Sequence, residues 1–202
     1  MEAYTGSTQT QKVNPSDFHS FSRSQTKEEF AIVLDFLPYG YPLEGRRLPI
    51  AQAVGKNNFV LLQIVPRKGE KFELKEEVYI GEGKRDKVQY ILGRLPREKL
   101  TETARLQLED FIKDIVEKGE ERFIKFFNSA GAINTRLHQF ELLPGFGKKH
   151  TRAIIEEREK DLFKSLDDLR KRVTNIPDPR KAVEKRILEE LTEIQRTNLF
   201  IR

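Results

Sequence analysis

The sequence predicts an α+β protein: a small closed β barrel followed by an all-α domain. Three observations predict it. Between residues 30 and 92, about five short apolar runs are separated by Gly, Pro and Asn turns. After Pro96 the apolar spacing changes to the period of a helix. The order, strands first and helices second, argues for two packed subdomains rather than an alternating parallel sheet.

Residues 1–27 are rich in Ser, Thr and Gln and poor in aliphatics, which predicts a loosely ordered arm with Phe18 and Phe21 as docking points. Residues 30–37 read as a strand stopped by Pro38 and Gly40, and Pro42, Gly45 and Pro49 mark a loop. Residues 50–54 and 59–65 read as strands around an Asn57-Asn58 turn. Residues 77–80 and 87–92 read as paired strands flanking the loop 81–86. Beyond Pro96, Ala104, Leu108, Phe111, Ile112, Ile115 and Val116 form one helical apolar stripe that Gly119 ends. Phe123, Ile124, Phe126 and Phe127 form a short second helix, and residues 128–131 a hinge-like loop.

The chain has 202 residues, 34% of them charged and 37% hydrophobic, with a net charge of +5. That suffices for a core and favours an anionic partner. There is no cysteine, which excludes disulfides and thiolate metal sites. No stretch approaches the ~18 apolar residues of a membrane span. No apolar leader is seen, so a cytoplasmic protein without membrane contact is expected.

Residues 135–160 carry the most specific signal. Leu137, Phe140 and Leu142 supply a short helix face, and Leu143-Pro144-Gly145-Phe146-Gly147 follows. A second helix then begins at Lys148, with Ala153, Ile154 and Ile155 as its buried side. Its first N–H groups lack intrahelical partners at the positive end of the helix dipole, where they can hold a phosphate. Gly145 and Gly147 allow positive φ and close approach, Phe146 plugs the groove between the helices, and Lys148, Lys149 and Arg152 add charge. This stretch resembles the helix-hairpin-helix family, whose hairpins grip phosphates without reading sequence.

A degenerate second copy follows. Ser165 caps a helix with the apolar face Leu166, Leu169 and Val173, and residues 174–176 stand where the hairpin would be. Asp178 and Pro179 start a long helix carrying Val183, Ile187, Leu188, Leu191 and Ile194. The glycines are missing, so this copy is expected to buttress the first. In the barrel, Lys84, Arg85 and Lys87 crowd one loop and Arg67, Lys68 and Lys71 another, near Tyr79 and Tyr90. Basic loops with exposed aromatics are how OB-type barrels bind single strands; solvated turn tips with core tyrosines are the alternative.

From Glu29 onward the chain resembles the archaeal family of domain-of-unknown-function 655. The matching stretches include residues 31–38, 78–83, 100–104, 126–128, 136–138 and the hairpin 142–149. The resemblance implies an OB-like β barrel (28–96), linking helices (97–131) and an all-α helix-hairpin-helix domain (132–202). It also implies genes near those for ribosomal proteins and rRNA methylation, which tilts the expected partner towards RNA and ribosomal or rRNA-processing components. A nucleic-acid-binding protein with no cofactor, metal or catalytic residue is expected. A DNA repair or recombination accessory, or an interaction scaffold with a structural hairpin, stays open. Asp167 and Asp168 lie at a glycosylase-like distance after the hairpin but read as a helix start, and Glu156, Glu157 and Glu159 as a solvated face.

Overall fold

The computed structural model describes residues 28–42 and 47–201. The expected arm, and Gly45 in the following loop, lie outside them. β1 (Phe30–Leu37), β2 (Ile50–Gly55), β3 (Leu61–Pro66), β4 (Glu77–Tyr79) and β5 (Val88–Arg94) form one curled sheet in the order β4-β1-β2-β3-β5. The helical part contains α1 (Glu102–Lys118), α2 (Glu120–Ser129), α3 (Lys148–Lys160), α4 (Leu166–Arg172) and α5 (Pro179–Thr192). A short hairpin of β6 (Ala132–Asn134) and β7 (Leu137–His138) precedes α3.

Every neighbouring pair in the sheet is antiparallel. β4 and β5 therefore run in the same direction. No antiparallel ladder can close them, and among the described residues none joins them: the expected closed barrel is a half-barrel. The expected pairing of residues 77–80 with 87–92 is likewise absent. β4 adds to the outer edge of β1 and β5 to that of β3, which satisfies backbone groups those strands would otherwise leave open. The third strand starts at Leu61 rather than Phe59, because Phe59 is buried at φ 57 in the turn that precedes it.

β2 and β3 are buried along their whole length. Ala31, Val33, Ala53, Leu62 and Ile64 face the hollow of the half-barrel with Phe72, Val78 and Val88. Leu34, Val54 and Leu61 face the helices, joining Ala104, Leu108, Ile112 and Val116 of α1 and Val183, Ile187 and Leu191 of α5 in a continuous core. Gln52 is fully buried at this junction. Its amide donates to Lys99 O at 2.6 Å and its Oε1 accepts from Thr101 N at 3.0 Å. Thr101 caps α1 and donates from its hydroxyl to Asp35 at 2.6 Å. The start of α1 is thus fixed to β1 and β2.

Leu137, expected on a helix, lies in β7, and the first helix of the expected hairpin is a single 3-10 turn, Gln139–Leu142. Ser165 accepts from Asp168 N at 2.9 Å and Asp178 caps α5 with Pro179 at N1, both as expected. Ile194 departs from expectation: α5 ends at Thr192 and Ile194 is 93% exposed. No helix among the described residues is long and apolar enough to cross a membrane.

Candidate nucleic-acid interface

The first hairpin is built on the 3-10 turn. His138 Nδ1 accepts from Phe140 N at 3.1 Å, while Glu141 accepts from His138 N at 3.0 Å. Burial pushes the His138 imidazole pKa down, and the nearby Arg158 guanidinium lowers it further. Arg158 does not pair with a helix carboxylate; it donates to the carbonyls of Phe127 and Ala130, tying α3 to the end of α2.

Residues 143–146 then reverse the chain, with Phe146 N donating to Leu143 O at 3.0 Å. Pro144 second and Gly145 third, at φ +83, is the residue pattern of a type II turn. Phe146 is 6% exposed, its ring 6.4 Å from that of Phe127. It plugs the core and anchors the turn from within. Gly147 is the N-cap of α3 with extended backbone at φ −126. Positive φ is thus required at Gly145 and not at Gly147.

Lys148, Lys149 and Arg152 are exposed, and none has an ion-pair partner among the described residues. The first turn of α3 contains no acid. An added Cβ at Gly147 would meet nothing within 4 Å, so the approach to the free amides is open. Gly147 N itself donates to His150 Nδ1 at 3.2 Å, which leaves the amides of Lys148, Lys149 and His150 for an anion. Ile154 is buried as expected, Ala153 and Ile155 half so; Thr151 joins them, although its polarity gave no sign of that.

The second hairpin has a comparable turn, one residue longer, and the opposite chemistry. Asn175, at φ 62, occupies the turn as Gly145 does in the first. But Asp178 stands where Gly147 does, and its carboxylate accepts from the amides of Arg180 at 3.0 Å and Lys181 at 3.3 Å. The α5 terminus carries its own anion. The two turns touch: a Cβ on Gly145 would lie 3.1 Å from Pro177 Cγ.

The whole described region matches one family model. DUF655, described as a protein of unknown function, covers residues 27–202. The chain belongs to the DUF655 family. It is similar to the uncharacterised protein MJ0038 of Methanocaldococcus jannaschii, 39% identical over 184 residues that make up 91% of this chain and 83% of that one. It is also similar to the crystal structure of Af1531 from Archaeoglobus fulgidus, a DUF655 structure, with a TM-score of 0.76 and 44% identity over 87% of this chain and 100% of that one. Both relatives are archaeal, as the sequence led us to expect.

The remaining expected contacts of this DUF655 chain lie on the half-barrel. Lys84 is exposed, but Arg85 Nε donates back to Gly81 O at 2.8 Å. Lys87 pairs with Glu76 at 2.6 Å, and that hydrogen bond raises the lysine pKa above its ordinary value. Tyr79 packs against the loop, its hydroxyl accepting from Gly83 N at 3.1 Å, whereas Tyr90 on β5 is 39% exposed. Asp168 accepts from Lys164 N at 3.0 Å and faces Arg172 at 3.5 Å, in a helix-start role. Glu157 pairs with Lys160 and Arg172. Among the described residues no group of three or more His, Asp or Glu is placed to hold a metal ion.

The two hairpin glycines should respond differently to one methyl group. Gly145→Ala should cost about 1–3 kcal/mol, since it combines left-handed backbone with a close approach to Pro177. Gly147→Ala should stay within about 0.5 kcal/mol of wild type. Denaturant unfolding of both variants checks this, and equal losses would contradict the assignment of the strained position.

Proposed function

We propose that this chain is a nucleic-acid-binding protein, with RNA as its preferred partner, and that it grips phosphates at the N-terminus of α3. The observation that supports this best is the contrast between the hairpins. Where the second fills its helix start with Asp178, the first leaves three amides open and surrounds them with Lys148, Lys149 and Arg152, none with a carboxylate partner among the described residues. A turn built only for packing has no use for that difference. Such a grip positions the polymer and does not read it.

The second contact surface is the half-barrel, read as OB-like from its five curled strands. The faces of β2 and β3, on which OB barrels present bases, are buried here, so contact falls to the rim: Lys84 and Arg85, and edge strand β5 with Tyr90. This rim contributes less than the hairpin because Arg85 and Lys87 already hold partners. Neutralising Lys84, Arg85 and Lys87 together should flatten the salt dependence of binding by ~0.7–0.9 for each phosphate no longer neutralised, and weaken binding less than reversal of the hairpin charges. An unchanged slope would reduce the loop to a solvated turn.

A phosphate grip combined with a rim suited to splayed bases fits a junction between helix and loop in structured RNA. The test is a competition titration at fixed, near-physiological salt among a stem-loop RNA, a blunt duplex DNA and an unstructured oligonucleotide of equal length. The stem-loop should bind tightest. A tenfold preference for duplex DNA would instead assign the chain to DNA repair or recombination.

A further inference from the structure

A cleft of about 540 Å³ separates α1 from the β1–β4 side of the half-barrel. Its floor is apolar, made by half-buried Ile32, Phe111 and Ile115 with buried Phe123. Phe59 stands edge-on to Phe111 at 6.2 Å and fixes its ring. Contiguous apolar surface left half-open under a polar rim marks a docking site. The rim carries both signs in exposed pairs: Lys56 with Glu77 at 2.7 Å, Lys75 with Asp110 at 3.1 Å and Lys118 with Asp114 at 3.2 Å. Such pairs exchange partners at little cost. A rim of balanced charge does not favour a polyanion; it suits a peptide with apolar anchors and charges of both signs.

The described chain begins at the edge of this cleft. The Glu28 carboxylate accepts from the amides of Asn57 at 2.9 Å and Asn58 at 2.6 Å, in the turn between β2 and β3. That turn meets the cleft wall: Arg122 donates to Asn57 O at 3.0 Å, and Lys56 and Arg122 both line the cleft. Residues 1–26 precede the family match. Phe18 and Phe21 are the only phenylalanines before Phe30, and Asp17 and Arg23 flank them with opposite charges. We infer that residues 17–23 of the same chain dock in the cleft, with Phe18 and Phe21 on its apolar floor and Asp17 and Arg23 exchanging into the rim pairs. Phe21 stands seven positions before Glu28, and seven extended residues reach up to ~25 Å. An aromatic ring needs an apolar cavity on the order of 150 Å³, so the cleft has room for both. A tether this short holds the segment at an effective concentration on the order of millimolar, so even weak docking fills the site.

The chain has no cysteine, so Ser20→Cys gives a single site for a nitroxide label. In the isotopically labelled full-length chain the nitroxide should broaden the amides of Lys56 and residues 115–122 strongly and those of β5, at the far edge of the sheet, little. The tether alone keeps the label near Glu28, so the reference is the same chain carrying Phe18→Ser and Phe21→Ser as well. There the broadening in the cleft should drop several-fold. Equal broadening in the two chains overturns the docking and leaves the cleft to a partner protein. Without the nitroxide, the paired Phe18→Ser and Phe21→Ser change should by itself shift the amides of residues 107–123, because two rings leave the floor; unchanged shifts overturn the proposal. Mixing unmodified, isotopically labelled chain with unlabelled chain that bears the nitroxide separates the remaining case. No broadening is expected, and broadening in the cleft would assign it to the arm of a second copy and overturn docking within one chain. None of these outcomes involves nucleic acid, so the hairpin reading stands or falls apart from them.

Discussion

Lys148→Glu combined with Lys149→Glu should weaken binding to a stem-loop RNA on the order of a hundredfold, ~2.8 kcal/mol, and leave the fold intact. Both lysines are exposed in the first turn of α3 and neither has a carboxylate partner among the described residues, so the change breaks no internal ion pair. The replacements are acids at the positive end of a helix, a placement worth about 0.3–1 kcal/mol each in favour of the helix. Stability should therefore hold or rise slightly while affinity falls, a combination that misfolding cannot imitate. The dependence of log affinity on log salt should also flatten, by ~0.7–0.9 for each of the two lysines. Fluorescence anisotropy from low to physiological salt, with thermal melts of the same samples, reads both. Unchanged affinity at low salt would rule out the phosphate grip at α3.

The second large effect is on stability. Glu190 is 1% exposed and pairs with Arg186, itself 5% exposed, at 2.8 Å. Its two carboxylate oxygens also accept from the amides of Leu199, Phe200 and Ile201. Arg97 donates to the carbonyls of Glu190 and Leu191, and Arg122 to that of Phe200. One buried carboxylate thus fastens the C-terminal segment to α5, near the seam with the half-barrel. Glu190→Ala strands the Arg186 charge and three amides at once and should cost roughly 3–5 kcal/mol, the range for breaking one side of a buried pair. Denaturant unfolding measures it, with a loss below about 1 kcal/mol counting against this role.

What could be read from the sequence follows from how local each cause is. The limits of β1 are visible because Pro38 stops an apolar run, and the starts of α4 and α5 because Ser165, Asp178 and Pro179 cap helices through contacts a few residues away. The partners of β4 and β5 are not visible in this way. Alternation shows that a segment is a strand but not which edge it joins, so nearness in sequence suggested a hairpin that does not form. In the hairpin, two glycines around one apolar residue show that a tight turn exists. They do not show which one takes positive φ, and it is Gly145. Periodicity gives the face of a helix but not its depth: Phe111 and Ile115 share the apolar stripe of Ile112 and Val116, yet they are only half-buried against the core and also line a cleft. Nothing local marks Glu190, because the amides that hold it come from residues 199–201, beyond the helix.

The phosphate grip requires an anion on the first hairpin and not on the second. Titrating stem-loop RNA into isotopically labelled full-length chain, with every backbone amide followed by two-dimensional NMR, tests it most directly. The amides of Lys148, Lys149 and His150 should shift most strongly and saturate together. Those of Arg180 and Lys181, already taken by Asp178, should stay in place. Saturating shifts at Arg180 and Lys181 with none at residues 148–150 would contradict the claim.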